Sequence, residues 1–196
     1  MSNRLCFAAA ISAAALLSAC QQREEPAANE TVEANAPAMA NEAAPAAAQS
    51  AQLVDANGKA IGQVAISEDA NGVTLKVTAG LPAGTHGVHL HEKGMCEGPK
   101  FESAGAHWNP ATKQHGRDNP MGAHLGDLAN MEAADGAEAS STYLVAGVTV
   151  GGATNALADA DGTSLVVHAK ADDYKTDPSG NSGDRIACAV LAPPKG

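Results

Sequence analysis

The sequence predicts an all-β domain, a sandwich or flattened barrel, and three observations carry the prediction. Apolar and polar residues alternate with a period of two. Val73, Leu75 and Val77 interleave with Thr74, Lys76 and Thr78, as in a strand with one dry face and one wet face. Asn57-Gly58, Asn71-Gly72, Asp135-Gly136 and Asp161-Gly162 sit between or beside such segments and supply the positive φ of tight turns. The 20 glycines and 10 prolines interrupt the chain too often for long helices.

In chain order, the first element is a targeting segment. Arg4 gives a basic start, Leu5 to Leu17 is apolar or small throughout, and Leu17-Ser18-Ala19-Cys20 is a small-residue cleavage site ending in cysteine. Residues 1–19 therefore read as a signal peptide, too short to span a bilayer comfortably. Cys20 matches the lipobox of bacterial lipoproteins, in which the thiol is lipidated and becomes the new N-terminus. Gln21 lacks the acidic character associated with inner-membrane retention, so an outer-membrane anchor facing the periplasm is expected. Residues 20–50 are mostly Ala, Glu, Asn and Pro, and bury too little apolar surface to offset their ordering entropy; a disordered spacer is expected.

The domain is expected over 51–196, enough chain for one sizeable core. Gln52 to Ala56, Ile61 to Ser67, Thr85 to His91, Thr142 to Val150, Thr163 to Ala169 and Arg185 to Leu191 join the 73–78 segment as short strands rich in β-branched residues. Two long loops are left, Glu92 to His124 and Lys170 to Asp184, and loops of that length in a compact domain usually carry function.

With 12 Lys+Arg against 22 Asp+Glu the formal charge is −10, which argues against nucleic acid as a partner. Cys6 leaves with the signal peptide and Cys20 carries lipid, so Cys96 and Cys188 remain. In an oxidising compartment they should pair. A bridge across 92 positions is worth roughly 4 to 5 kcal/mol in the chain-entropy model.

The histidines carry the chemistry. His89 and His91 are two apart in a strand, so both imidazoles leave the same face. His107, His115 and His124 follow on the first loop, Asp127 lies three beyond the last, and His168 ends the Leu165-Val166-Val167 strand. His86, at odd spacing from His89, faces the other way and reads as a packed structural histidine. Imidazole suits copper and zinc, and a tetrahedral set with one Asp favours zinc. Two four-coordinate sites need eight ligand positions and seven side chains are present, so one His would have to bridge. A single zinc site with spare histidines satisfies the same count.

Five separated segments resemble the copper/zinc superoxide dismutases, in their bacterial periplasmic lipoprotein form. They are His86-Gly87-Val88-His89-Leu90-His91, with Val88 where many members have Phe, and Ala104-Gly105-Ala106-His107-Trp108-Asn109-Pro110. His115-Gly116 with His124-Leu125-Gly126-Asp127-Leu128 follows, then Val166-Val167-His168 with Ala171-Asp172-Asp173. The last runs from Gly180 to Cys188. Ala106, Ala129, Ser182 and Ala189 depart from the pattern without touching a ligand.

The resemblance implies a Greek-key β-barrel of immunoglobulin-like architecture and an enzyme that converts superoxide to O2 and H2O2. It implies one copper on His89, His91, His107 and His168, and one zinc on His107, His115, His124 and Asp127. Turnover would proceed by alternate reduction and oxidation of copper, bridged to zinc through His107. Asp172 would hydrogen-bond a ligand histidine at each metal. Arg185 would hold the anion beside copper. The implied partners are superoxide and, through lipidated Cys20, a membrane; both monomer and homodimer stay open. Lys100, Lys113 and Lys175 are candidates for local steering of the anion. The competing readings are a non-catalytic copper/zinc-binding envelope lipoprotein and a zinc hydrolase. The first would not need Arg185; the second needs an open zinc position.

Overall fold

The computed structural model describes residues 49–196; the expectations for residues 1–48, Cys20 included, lie outside the described residues. Nine strands and one short 3-10 turn account for the regular structure there. They are β1 (Gln49–Asp55), β2 (Ala60–Asp69), β3 (Gly72–Ala79), β4 (Gly84–His86), β5 (Val88–His91), β6 (Met131–Ala133), β7 (Ala139–Ala146), β8 (Thr163–His168) and β9 (Arg185–Ala192), with the turn at Glu102–Ala104. Seven strands form one antiparallel sheet in the order β5-β8-β9-β1-β2-β3-β7, and β4 pairs with β6 in a ribbon. The ribbon lies between the sheet's two ends, since β6 packs beside β7 and β4 runs into β5 through Gly87. The expected all-β Greek-key fold is the fold observed.

Alternation works as expected where one face is buried. Val73, Leu75 and Val77 have no exposure and pack with Leu53, Val64, Leu90, Leu165 and Val167 in one core. β8 breaks the pattern, because all six of its residues are buried. One face meets this core, and Val166 meets a second cluster of Phe101, Ala104 and Cys188.

Four elements differ from the sequence expectation, each for a local reason. The first strand begins at Gln49, which pairs with Ile66, two residues before the expected domain start. The segment Thr85 to His91 is two strands. Gly87 sits where a Cβ would come to 2.9 Å from the Ser182 Cβ, so the chain passes close to the second long loop and changes ladder. The strand expected to reach Val150 stops at Ala146, before Gly147 at φ 69°. Met131–Ala133 is a strand of only three residues, too short for a period to register. The two long loops are present, the first running from Glu92 through Asn130 and the second from Ala169 to Asp184.

The first loop folds back along the outer edge of β5. The Leu90 N–H donates to Gly126 O and the Leu90 O accepts from Trp108 N–H, while Leu128 N–H reaches Val88 O and Glu92 N–H reaches Ala106 O. An exposed strand edge is thereby covered, and two loop segments acquire strand-like alternation. Trp108 points into the core and its neighbour His107 points the other way.

Candidate metal centre

That covered edge brings the histidines together. His91 stands opposite His107, and His89 opposite Asp127, as isolated antiparallel pairs, while β8 delivers His168 to the same place. The imidazoles of His89 and His107 lie 4.0 Å apart between ring centroids, and those of His89 and His168 4.8 Å apart. Potential ligand atoms of His89, His91, His107 and His168 all fall within 4.8 Å of one another.

Hydrogen bonding fixes which nitrogen each ring presents. His89 Nε2–H donates to Asp172 Oδ2 at 2.7 Å, leaving Nδ1 as the lone pair. His91 Nδ1–H donates to Gly105 O at 3.1 Å and His168 Nδ1–H to Gly183 O at 3.2 Å, leaving Nε2 on each. His107 has its Nδ1 at 3.0 Å from Asp127 Oδ1. Six buried side-chain polar atoms among the described residues lack any partner, and four of them are His89 Nδ1, His91 Nε2, His107 Nε2 and His168 Nε2. A buried nitrogen without a partner costs free energy. Four converging ones form a set able to hold a metal ion.

The second set gathers around one oxygen. The Nδ1 atoms of His107, His115 and His124 lie 3.0, 3.0 and 3.1 Å from Asp127 Oδ1. Ligands on a tetrahedral zinc with bonds of about 2.0 Å stand about 3.3 Å apart, so these spacings need little adjustment. Asp127 is aimed by its other oxygen, which accepts the N–H groups of Gly116 at 2.9 Å and His124 at 3.0 Å. His89, His107, His115 and Asp127 also fall within 4.8 Å of one another. His89 belongs with the first set, because its Nε2 is occupied by Asp172 and its free Nδ1 joins the other three unpartnered nitrogens.

Asp172 spans both sets: Oδ2 takes His89 and Oδ1 takes His115 Nε2–H at 3.0 Å. A carboxylate in that place orients the rings and raises their basicity. Asp172 is itself clamped by Asn130, whose amide donates to Asp172 O at 2.9 Å and accepts from Asp172 N–H at 2.9 Å. Sequence reading missed Asn130, as it did Asp177, whose Oδ1 accepts the His115 N–H at 2.6 Å. No spacing signal marks either residue.

Burial pushes His107 down to about 4 and His168 to about 3, and lowers His89 and His91 as well, so these rings are neutral and ligand-ready at neutral pH. At His115 burial acts the same way, but its hydrogen bonds to the Asp127 and Asp172 carboxylates outweigh it and lift the ring to about 9. Asp127 and Asp172 are buried, yet their histidine hydrogen bonds hold both well below the usual carboxylate range.

Arg185 reaches the site through a bulge. Val167 pairs with Ala187, but His168 pairs with Arg185 in place of Ile186. A one-residue slip reverses which face a side chain takes, so the slip sets Arg185 beside the last histidine. Nη1 donates to Phe101 O at 2.6 Å and Nη2 to Gly105 O at 2.7 Å, the carbonyl that also accepts from His91. The disulfide Cys96–Cys188, with Cα atoms 5.7 Å apart, ties the same loop to β9 three residues beyond Arg185.

A family model described as copper/zinc superoxide dismutase matches residues 60–191. The chain belongs to the copper/zinc superoxide dismutase family. The Caulobacter vibrioides Cu-Zn superoxide dismutase is 47% identical over 139 residues, which are 69% of this chain and 80% of the relative. A superoxide dismutase-like protein of Bacillus subtilis is 44% identical over 149 residues, 71% and 74% of the two chains. A solved structure of a Bacillus subtilis superoxide dismutase-like protein superposes with a TM-score of 0.70 at 39% identity, over 74% of this chain and 99% of that one. The Brucella abortus Cu/Zn superoxide dismutase gives 0.57 at 30% identity, over 74% and 99%. The cofactors of this family are copper and zinc, and both donor sets described above fit them: four imidazole nitrogens for copper, three imidazoles and a carboxylate for zinc.

His86 is structural, as expected. Its Nδ1 lies 2.7 Å from His168 O and its Nε2 2.9 Å from Pro82 O, so it ties β4 to the end of β8.

Proposed function

We propose that this chain is an envelope superoxide dismutase that converts superoxide to O2 and H2O2. Copper is assigned to His89, His91, His107 and His168, and zinc to His107, His115, His124 and Asp127. Copper supplies reversible one-electron exchange, which no side chain offers, and zinc supplies fixed charge without redox chemistry. The chain's own residues do the rest. Asp172 holds His89 and His115 in the tautomers the two metals require. His107 presents Nε2 to the first set and Nδ1 to the second, so Nε2 is the atom at which a proton can be held and passed to product.

The observation that carries the reading is Arg185 beside four unpartnered imidazole nitrogens. A guanidinium has five N–H donors. One on Nη1 and one on Nη2 go to carbonyls, which fixes the group and leaves the others to hold an anion. A merely metal-holding lipoprotein has no use for that placement. The proposal includes a periplasmic location and an outer-membrane tether through Cys20, supported by the Leu17 to Cys20 motif.

The test is direct observation of superoxide decay by the purified chain carrying one copper and one zinc, with a zinc-only sample as control. Rapid decay only in the copper-containing sample supports the dismutase; no decay despite bound copper would leave the metal-holding reading. Arg185→Ala should cut the second-order rate about tenfold and weaken inhibition by small anions, with copper still bound. An unaltered rate would remove Arg185 from the reaction.

A further inference from the structure

Tyr174 belongs to neither donor set, yet it contacts Asp172, Asn130 and the 116–118 segment of the first loop. Its N–H donates to Asp172 Oδ1 at 2.7 Å. Its hydroxyl accepts the Asn130 N–H at 2.7 Å, from the residue whose amide clamps the Asp172 backbone. Its carbonyl accepts the Asp118 N–H at 2.9 Å and faces Gly116, where a Cβ would overlap it. The guanidinium carbon of Arg117 lies 3.7 Å from the centre of its ring. Tyr174 also has φ 61°, a left-handed conformation that a bulky residue keeps only where its surroundings over-determine it. Arg117 is exposed, Tyr174 half-buried and Asp172 buried, so the stack closes the outer side of the contact between the two loops.

We infer that Tyr174, clamped from outside by Arg117, is a positioning residue for Asp172 and through it for the zinc half of the centre. The inference rests on the zinc assignment to His107, His115, His124 and Asp127. The Arg117 guanidinium holds the tyrosine ring, the ring holds the backbone of residues 172–174, and that backbone fixes the carboxylate against His115 Nε2. A planar guanidinium suits this role better than an ammonium, because it stacks on the ring face.

The experiment reads the zinc site in two ways that do not depend on activity. One is the release of zinc from the holoprotein to a chelator; the other is the visible absorption of cobalt(II) bound in place of zinc, both at 25 °C. Arg117→Ala should speed zinc release about threefold, the size of an exposed cation–π contact. Tyr174→Leu should speed it about tenfold, as for loss of a group that orients a ligand. Both should shift the cobalt bands. Combining the two should release zinc no faster than Tyr174→Leu alone, because Arg117 acts only through the ring. Should Tyr174→Leu fail to fold, Tyr174→Phe keeps the ring, and Arg117→Ala should still cost about threefold in that background. Wild-type release and wild-type bands in Arg117→Ala would overturn the inference, as would multiplying effects of Arg117→Ala and Tyr174→Leu. Failure of the unaltered chain to give tetrahedral cobalt bands would overturn the zinc assignment first.

Discussion

At the scale of single residues, the centre depends on atoms that are not ligands. Asp172 Oδ1 accepts from both His115 and Tyr174, and the space above it is left open by Gly180. Gly180 has φ 63°, and a Cβ there would overlap Asp172 Oδ1 and come within 2.7 Å of His115 Nε2. No rotamer relieves that overlap, since a Cβ position is set by the backbone. Gly180→Ala should therefore weaken zinc binding by about 10- to 100-fold, the range for lost orientation of a ligand histidine. Chelator competition measures it directly. Zinc affinity equal to the unaltered chain would mean that Asp172 can move without consequence.

Between elements, the placement of Arg185 depends on two devices that act from opposite sides. The slip between β8 and β9 turns Arg185 toward His168, and the first loop supplies the Phe101 and Gly105 carbonyls that hold its guanidinium. The disulfide joins those two pieces, with Val166, Phe101 and Ala104 packed around it. Reducing Cys96–Cys188 should free the loop first, because β9 keeps its ladders to β8 and β1. Hydrogen exchange should rise over residues 93–105 and stay slow across β8 and β9. Equal protection with and without reductant would show that packing of Phe101 alone holds the loop.

The whole molecule carries the electrostatic cost of a preformed centre, and this sets its pH profile when metal-free. His107 and His168 titrate at about 4 and 3 in the fold, against 6.5 unfolded, and His89 and His91 are lowered too. Below about 6.5 the unfolded chain binds more protons than the fold, so stability falls as the pH drops toward 4. His115 has the opposite sign. Raised to about 9, it contributes in full below 6.5, and that contribution is lost as the pH climbs through 9. The thermal midpoint of the metal-free chain should thus peak near neutral pH and fall on both sides, more steeply toward acid, where four rings act together. A midpoint rising steadily from pH 4 to 9 would contradict these shifts. Bound metal should flatten the acid limb until protons displace it, since the same nitrogens are then occupied.

Sequence alone was enough for whatever depends on periodicity and residue chemistry. The interleaved Val73, Leu75 and Val77 place a core face, the spacing of His89 and His91 places two imidazoles on one side, and His107, His115, His124, His168 and Asp127 supply further donors, enough for two metals only if one histidine bridges. Those inferences are local, because a strand's side chains alternate whatever it pairs with. Other features depended on which backbones meet. Gly87 divides one apparent strand between two ladders, and a one-residue slip that no residue type announces turns Arg185 toward His168. Asn130 and Asp177 reach the site across 42 and 62 positions of sequence, and the Tyr174 hydroxyl meets Asn130 across 44. Register and loop docking are settled by closure of the whole core, where each pairing is fixed by all the others, and only the tertiary structure records that choice.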